Sequence, residues 1–277
     1  MSGPDEVYTA ARVVLLDALA ALGPHRDAAI LVGAQAIYLR VGEADIAVAP
    51  TTTDGDLALD PDQLGVSPEI HGLMEAAGFQ VRRRMVEGPL PGIWEKRGTN
   101  GYLVSVDLLV PEGVASREGR RAARLEGQRT GVAMKVRGIE GALVDHDHMS
   151  IADVADRSFT IRVAGPAALL VAKVHKLLDR SETAERLKDK DALDVFRLLR
   201  GSTTDDLVSR TEAILADRRS ADVGRSGLVG LRELFGRQTA HGVRMAIRAT
   251  QPLMDEREVS GSLIALTTDF LRALESR

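Results

Sequence analysis

The feature that most narrows the fold of this 277-residue chain is a change of hydrophobic period near Pro166. From there to the C-terminus the apolar residues recur at helical spacing, in PAALLVAKVHKLLDR, TAERLKDKDALDVFRLLR, TTDDLVSRTEAILADRR, GLVGLRELFGRQTAHGVRMAIRAT and EVSGSLIALTTDFLRALESR. Pro166 suits a first helical position, and TTDD offers an N-cap. Before Pro166 the pattern is mixed. VYTAARVVLLDALAALG reads as a helix stopped by Gly23 and Pro24, AAILVG as a short buried strand, AQAIYLRVG as a helix closed by Gly42, and DLALD as an alternating strand. PEIHGLMEAAG reads as a helix with Ser67 as N-cap and Gly78 as its stop. FQVRRRM, GIWEKRG and YLVSVDLLV follow as strands, separated by the turn signals EGPLPG and GTNG. The expectation is an α+β chain: a mixed α/β domain over residues 1–165, with a sheet of about five strands, then an α-helical domain over 166–277.

Composition removes several classes. A hydrophobic share of 44% provides a core, while no apolar stretch is expected to span a bilayer and the N-terminus MSGPDEVYTAAR is acidic before its apolar run. A cytoplasmic protein with no membrane partner is expected. The chain has no cysteine, which excludes disulfides and thiolate zinc sites, so a metal must sit on oxygen or histidine. The net charge of −4 argues against wholesale attraction to nucleic acid, but the charge is uneven. Arg117, Arg120, Arg121, Arg124, Arg129, Lys135 and Arg137 are set against only Glu118 and Glu126, and Arg82, Arg83 and Arg84 are consecutive. These runs read either as solvated surface or as a patch that tracks phosphates. An aromatic content of 3% gives little support to an extended base-stacking platform. Trp94, Tyr102, Phe79 and Phe196 read as core, DHDH at 145–148 as a polar loop, with a second metal site as the alternative, and His175 as lying on the polar side of its helix.

Three constellations carry chemistry. In TTTDGDLALD, Asp54 and Asp56 are two apart, which on a strand places both carboxylates on one face. Asp-Gly also favours a surface turn. The metal reading gains from Asp107, whose neighbours Val104, Val106, Leu108 and Leu109 are apolar, because a carboxylate in such a strand is costly unless paired or metal-bound. Upstream, ILVGAQAIYLR is a strand, a glycine and a helix; Gly33 there either permits a tight turn or lets backbone N–H groups meet a phosphate. In the helical part, Lys173 falls within the stripe of Leu169, Leu170, Val174 and Leu177, and Asp191 and Asp194 share a face with Leu187 and Leu198. One lysine and two carboxylates on apolar faces predict a paired internal network, structural, active or both.

With VGAQA, TTTDGDLAL, AKVHKLL and KDKDALDVFRLL in this order, the chain resembles the nucleotidyltransferase toxins of the AbiEii/MenT type, within the polymerase-β-like superfamily, over residues 28 to 200. The resemblance implies that Gly33 and Ala34 cradle a nucleoside triphosphate, that Asp54 and Asp56, with Asp107 as third ligand, hold magnesium or manganese, and that Lys173, Asp191 and Asp194 are catalytic. Lys173 would neutralise triphosphate charge, and Asp191 or Asp194 would orient it or assist deprotonation of the attacking hydroxyl. It implies nucleotide transfer to RNA, typically the 3′ end of tRNA, and a cognate antitoxin protein as partner; Arg82, Arg83, Arg84, Arg117, Arg120, Arg121 and Arg124 are the candidate RNA contacts where the arginine runs are read as a phosphate-tracking patch. The chain departs from the family pattern at Ala34, which lacks a hydroxyl, at Pro50, where an arginine is common, and at Gly55, where a bulkier apolar residue is usual. Transfer to a small molecule or a protein hydroxyl, and an inactive nucleotide-sensing or partner-binding module, are the alternatives.

Overall fold

A computed structural model describes residues 4–42, 44–48, 52–85, 88–116, 121–179 and 185–277. The chain is α+β and divides into two compact units. The first comprises residues 1–36, 51–136 and 146–163, the second 37–50, 137–145 and 164–277.

The first unit opens with α1 (Pro4–Leu22), β1 (Ala29–Val32) and the start of α2 (Gly33–Val41). It continues with β2 (Asp54–Leu59), α3 (Ile70–Ala76), β3 (Gln80–Arg84), β4 (Gly88–Arg97), β5 (Leu103–Pro111), β6 (Met134–Val136), β7 (His146–Ala152) and β8 (Ser158–Ala164). Among the described residues the sheet has eight strands rather than five, in the order β3-β4-β5-β2-β1-β8-β7 with β6 beside β5. Of the additional strands, β6 is only three residues long, whereas β8, SFTIRVA, alternates apolar Phe159, Ile161 and Val163 with polar residues, a strand signal the sequence reading passed over; the presumed turn EGPLPG supplies the first residues of β4 from Gly88 on.

The interior strand β1, between β2 and β8, is AILV, fully buried, as its lack of alternation requires. α1 packs its apolar side on the sheet, with Ala11, Leu15, Leu16, Ala18, Leu19 and Leu22 all buried. Residues Glu6–Ala28 are nonetheless long and apolar enough to cross a membrane, a stretch the sequence reading had not expected; in this fold their burial is against the sheet. α3 starts at Ile70, not after Ser67. Its first N–H is capped from a distant loop, Ile70 N donating to Gln128 Oε1 at 2.8 Å, so the cap lies outside the local sequence.

In the second unit, α4 (Pro166–Asp179), α5 (Glu185–Gly201), α6 (Thr204–Ala216), α7 (Ala221–Phe235), α8 (His241–Thr250) and α9 (Glu256–Glu275) follow one another. Thr203 caps α6, accepting from Asp206 N, as TTDD suggests. The single period over GLVGLRELFGRQTAHGVRMAIRAT resolves into α7 and α8, separated at Gly236–Ala240. Gly227 and Gly230 let α7 press on α4, since a Cβ at either would lie 3.0 Å or less from Val171 or from Val174 and Leu178.

Candidate active site

β2 carries the first two acids. Asp54 and Asp56 are half-buried on one face, and the intervening Gly55 is buried on the other, where an added Cβ would lie 3.0 Å from Leu15 Cδ1. The volume of a bulkier side chain at 55 is thus filled by α1. β2 runs parallel to β5, with Asp54 opposite Ser105 and Asp56 opposite Asp107. Residues in register on adjacent strands, about 4.8 Å apart, project to the same face. All three carboxylates therefore share one sheet face. Asp107 is half-buried like the other two, whereas Ala58 and Leu109, further along that face, are buried. The acids lie where the face opens.

The strand on the other side brings Gly33 to Asp56. β1 is antiparallel to β2 with Val32 opposite Asp56, so the next residue turns into α2 directly beside that carboxylate. Gly33 has φ +70°, and a Cβ on it would lie 1.9 Å from Asp56 Oδ2. Only glycine leaves this space for the carboxylate and tolerates the left-handed turn. The free N–H groups of the first turn of α2, which includes the buried Ala34, begin here. Two residues not singled out in the sequence complete the mounting: Gln35 Nε2 donates to the Asp54 carbonyl at 2.9 Å, and Thr52 Oγ1 donates to Asp54 Oδ1. Their only sequence signals were the position of Gln35 just past the glycine turn and of Thr52 in the threonine run.

Among the described residues, no three His, Asp or Glu side chains close into a metal cage. Magnesium is ordinarily held by one or two carboxylates together with water and substrate phosphates rather than by an all-protein cage. Asp56 and Asp107 across the strand pair, with Asp54 next along β2, suit a hard cation arriving with phosphate oxygens.

The second constellation belongs to the helical unit. Lys173 of α4 is 4% exposed, and its Nζ lies 2.7 Å from both Asp191 Oδ1 and Asp194 Oδ2 of α5. Burial alone would lower the Lys173 pKa, but the charges of Asp194 and Asp191 and their hydrogen bonds outweigh it and hold the ammonium above its ordinary value. Lys176 approaches Asp191 at 3.5 Å, and Tyr38 Oη reaches Asp194 Oδ1 at 3.4 Å. The lysine and both aspartates are therefore brought together as an ion-pair network.

The arginine runs sit on separate elements of the first unit. Arg82, Arg83 and Arg84 are exposed on β3, at the end of the sheet order, with Arg82 paired to Glu95 at 2.7 Å. Arg121 and Arg124 are exposed in the loop before β6. Arg117, Arg120 and Pro50 lie outside the described residues. DHDH is no polar loop: His146 opens β7, and the buried Asp145 caps α4, accepting from Ala168 N and from Arg210 Nη1 at 2.8 Å each. His175 is buried, not polar-facing, with Nε2 3.0 Å from the Val223 carbonyl. Trp94, Phe79 and Phe196 are core, whereas Tyr102 is exposed.

A nucleotidyltransferase family model matches residues 11–208, more than half of the chain, from within α1 to within α6. The crystal structure of an antigenic nucleotidyltransferase-like protein from Paracoccidioides brasiliensis is similar with a TM-score of 0.42 and 13% identity, over 80% of this chain and 93% of that one. No curated protein matches the sequence.

Proposed function

Since this chain belongs to the nucleotidyltransferase family, we propose that it transfers a nucleotide from a nucleoside triphosphate to an RNA hydroxyl, at the 3′ end of tRNA, in the manner of the AbiEii/MenT-type toxins it resembles. The observation that carries this reading is the shared face of Asp54, Asp56 and Asp107 beside the Gly33 turn. Asp54, Asp56 and Asp107 would hold magnesium or manganese, which neutralises charge on the phosphate oxygens and the departing pyrophosphate. Gly33 and the first turn of α2 would bind triphosphate through backbone N–H groups.

In the reaction the acceptor hydroxyl oxygen forms a bond to the α-phosphorus. The bond from that phosphorus to the bridging oxygen of pyrophosphate breaks, and the hydroxyl proton passes to a carboxylate of the cluster or to water. The protein contributes positioning and electrostatics more than covalent chemistry. Lys173, with two carboxylates on its ammonium, is assigned with Asp191 and Asp194 to positioning within the helical unit. Blocked tRNA ends would halt translation, and a cognate antitoxin protein would restrain the activity.

The test is incubation of the purified chain with each of the four α-labelled nucleoside triphosphates, magnesium, total RNA, total protein and an aminoglycoside antibiotic. Label on RNA of tRNA size is expected. Label on protein or on a small molecule instead would overturn the RNA acceptor, and no transfer with any triphosphate would overturn the enzymatic reading.

A further inference from the structure

α1 and the end of β7 border an open pocket of about 340 Å³, lined by Tyr8, Thr9, Arg12, Ala152, Asp153 and Val154. Its size falls at the lower end of small-molecule sites, which run from about 300 to 1,000 Å³. Its far wall is braced: Arg157 bonds Asp153 through Nε at 3.0 Å, Asp17 through Nη1 at 2.6 Å and the Val13 carbonyl through Nη2 at 3.1 Å, and Lys96 takes the other Asp17 oxygen at 2.7 Å.

The lining combines a phenol ring, a hydroxyl, a guanidinium and a carboxylate. The Arg12 guanidinium carbon lies 5.4 Å from the centre of the Tyr8 ring, Nη2 donates to Tyr8 Oη at 2.5 Å, and Nε donates to Gln35 Oε1 at 2.9 Å. Among the described residues two of the five guanidinium donors are thereby used, and the others are open to a ligand. Gln35, 1% exposed, holds the Asp54 carbonyl with its other end. The pocket is therefore tied, through one buried side chain, to the start of the strand that bears Asp54 and Asp56.

We propose that this pocket is a nucleotide subsite, taking one base against Tyr8 and Arg12 and a phosphate or base carbonyl on the remaining Arg12 donors. Aromatic rings and guanidinium planes are the usual stacking partners of an unpaired base. A cation is disfavoured by Arg12, and a purely apolar ligand would leave the remaining Arg12 donors unmatched. One tyrosine serves a single base, which agrees with an aromatic content too low for an extended platform. The inference rests on the nucleotidyltransferase reading. The nucleotide is either the incoming triphosphate or the terminal residue of the acceptor, two sources with the same recognition chemistry.

Two variants separate them: Arg12→Ala, and Val154→Glu on the rim, where Val154 is 77% exposed and outside the Gln35 connection. Binding to the full-length chain is measured for nucleoside triphosphates and for a fluorescein-labelled single-stranded oligoribonucleotide. Each variant is expected to weaken one probe by about tenfold or more and the other by less than about twofold, the scale of one stacked base. Loss confined to triphosphate assigns the pocket to the donor, and loss confined to the oligonucleotide assigns it to the acceptor. Thermal melting of both variants accompanies the binding; where Arg12→Ala melts early, Val154→Glu decides. Wild-type affinity for both probes in both variants, or a wild type that binds neither probe, overturns the proposal. A wild type that binds and loses affinity as expected, yet transfers no label, keeps the pocket and discards the transferase reading.

Discussion

The molecule carries two groups of acids, and they are arranged in opposite ways. In the helical unit Asp191 and Asp194 converge on the ammonium of Lys173 at 2.7 Å each. On the sheet, Asp56 faces Asp107 across two parallel strands with Asp54 on the same face. The first arrangement sets unlike charges together and holds α4 to α5. The second sets like charges together, which opposes folding and would be relieved by a divalent cation bound there. Changes to the helical group should therefore cost stability first, and changes to the sheet group should cost activity first.

The sharpest way to break this contrast is Lys173→Met. It strands two buried carboxylates and is expected to cost about 3–5 kcal/mol in denaturant unfolding. Replacing the whole network, with Asp191→Leu and Asp194→Leu added, is expected to recover most of that loss, because apolar packing substitutes for a buried ion pair. A single variant as stable as wild type would mean that the network does not hold the helices. The pH dependence has a definite sign. Lys173 is held above its ordinary value of 10.5, so its contribution is fully present below that value and is lost only as pH rises through the raised one. Neutralising Lys173 should accordingly play no part in any change of melting temperature between pH 6 and 9.

Gly33→Ala comes next. Its Cβ would displace Asp56 Oδ2 and must adopt a positive φ, so a loss of about 2 kcal/mol is expected, together with a fall in transfer of at least about tenfold. Unchanged transfer would remove Gly33 from the site. Asp145→Ala, which removes the cap of α4, is expected to cost about 1 kcal/mol in the same unfolding assay. The smallest effect on stability, within about 0.5 kcal/mol, is expected for Arg82, Arg83 and Arg84 changed together to Ala. If β3 holds RNA, that variant instead flattens the salt dependence of RNA binding by up to about three in slope.

Much of this was legible because it was local. The switch of period at Pro166 placed the six C-terminal helices, apart from the break between α7 and α8, and TTDD marked the cap of α6. The spacing of Asp54 and Asp56 located them on one face of β2, and Lys173 and the two aspartates were legible as charges on apolar helix faces. What the sequence concealed was made by partners distant along the chain. α3 and α4 are capped by Gln128 and Asp145, so Ser67 was mistaken for a cap and Asp145 for loop polarity. His175 is buried through a bond to Val223, and Gly55 is filled by Leu15, neither of which leaves a periodic mark. The registration of Asp107 opposite Asp56 is likewise a product of strand pairing, where a slip of one residue would turn the carboxylate to the other face.

The most direct test of the sheet cluster is calorimetric titration of magnesium, with a non-hydrolysable triphosphate present, into wild type, Asp56→Asn and Asp107→Asn, each also melted thermally. Both variants should bind magnesium at least about tenfold more weakly while melting no lower than wild type, since each removes one of the like charges. Wild-type magnesium affinity in both variants would contradict a metal held between these strands.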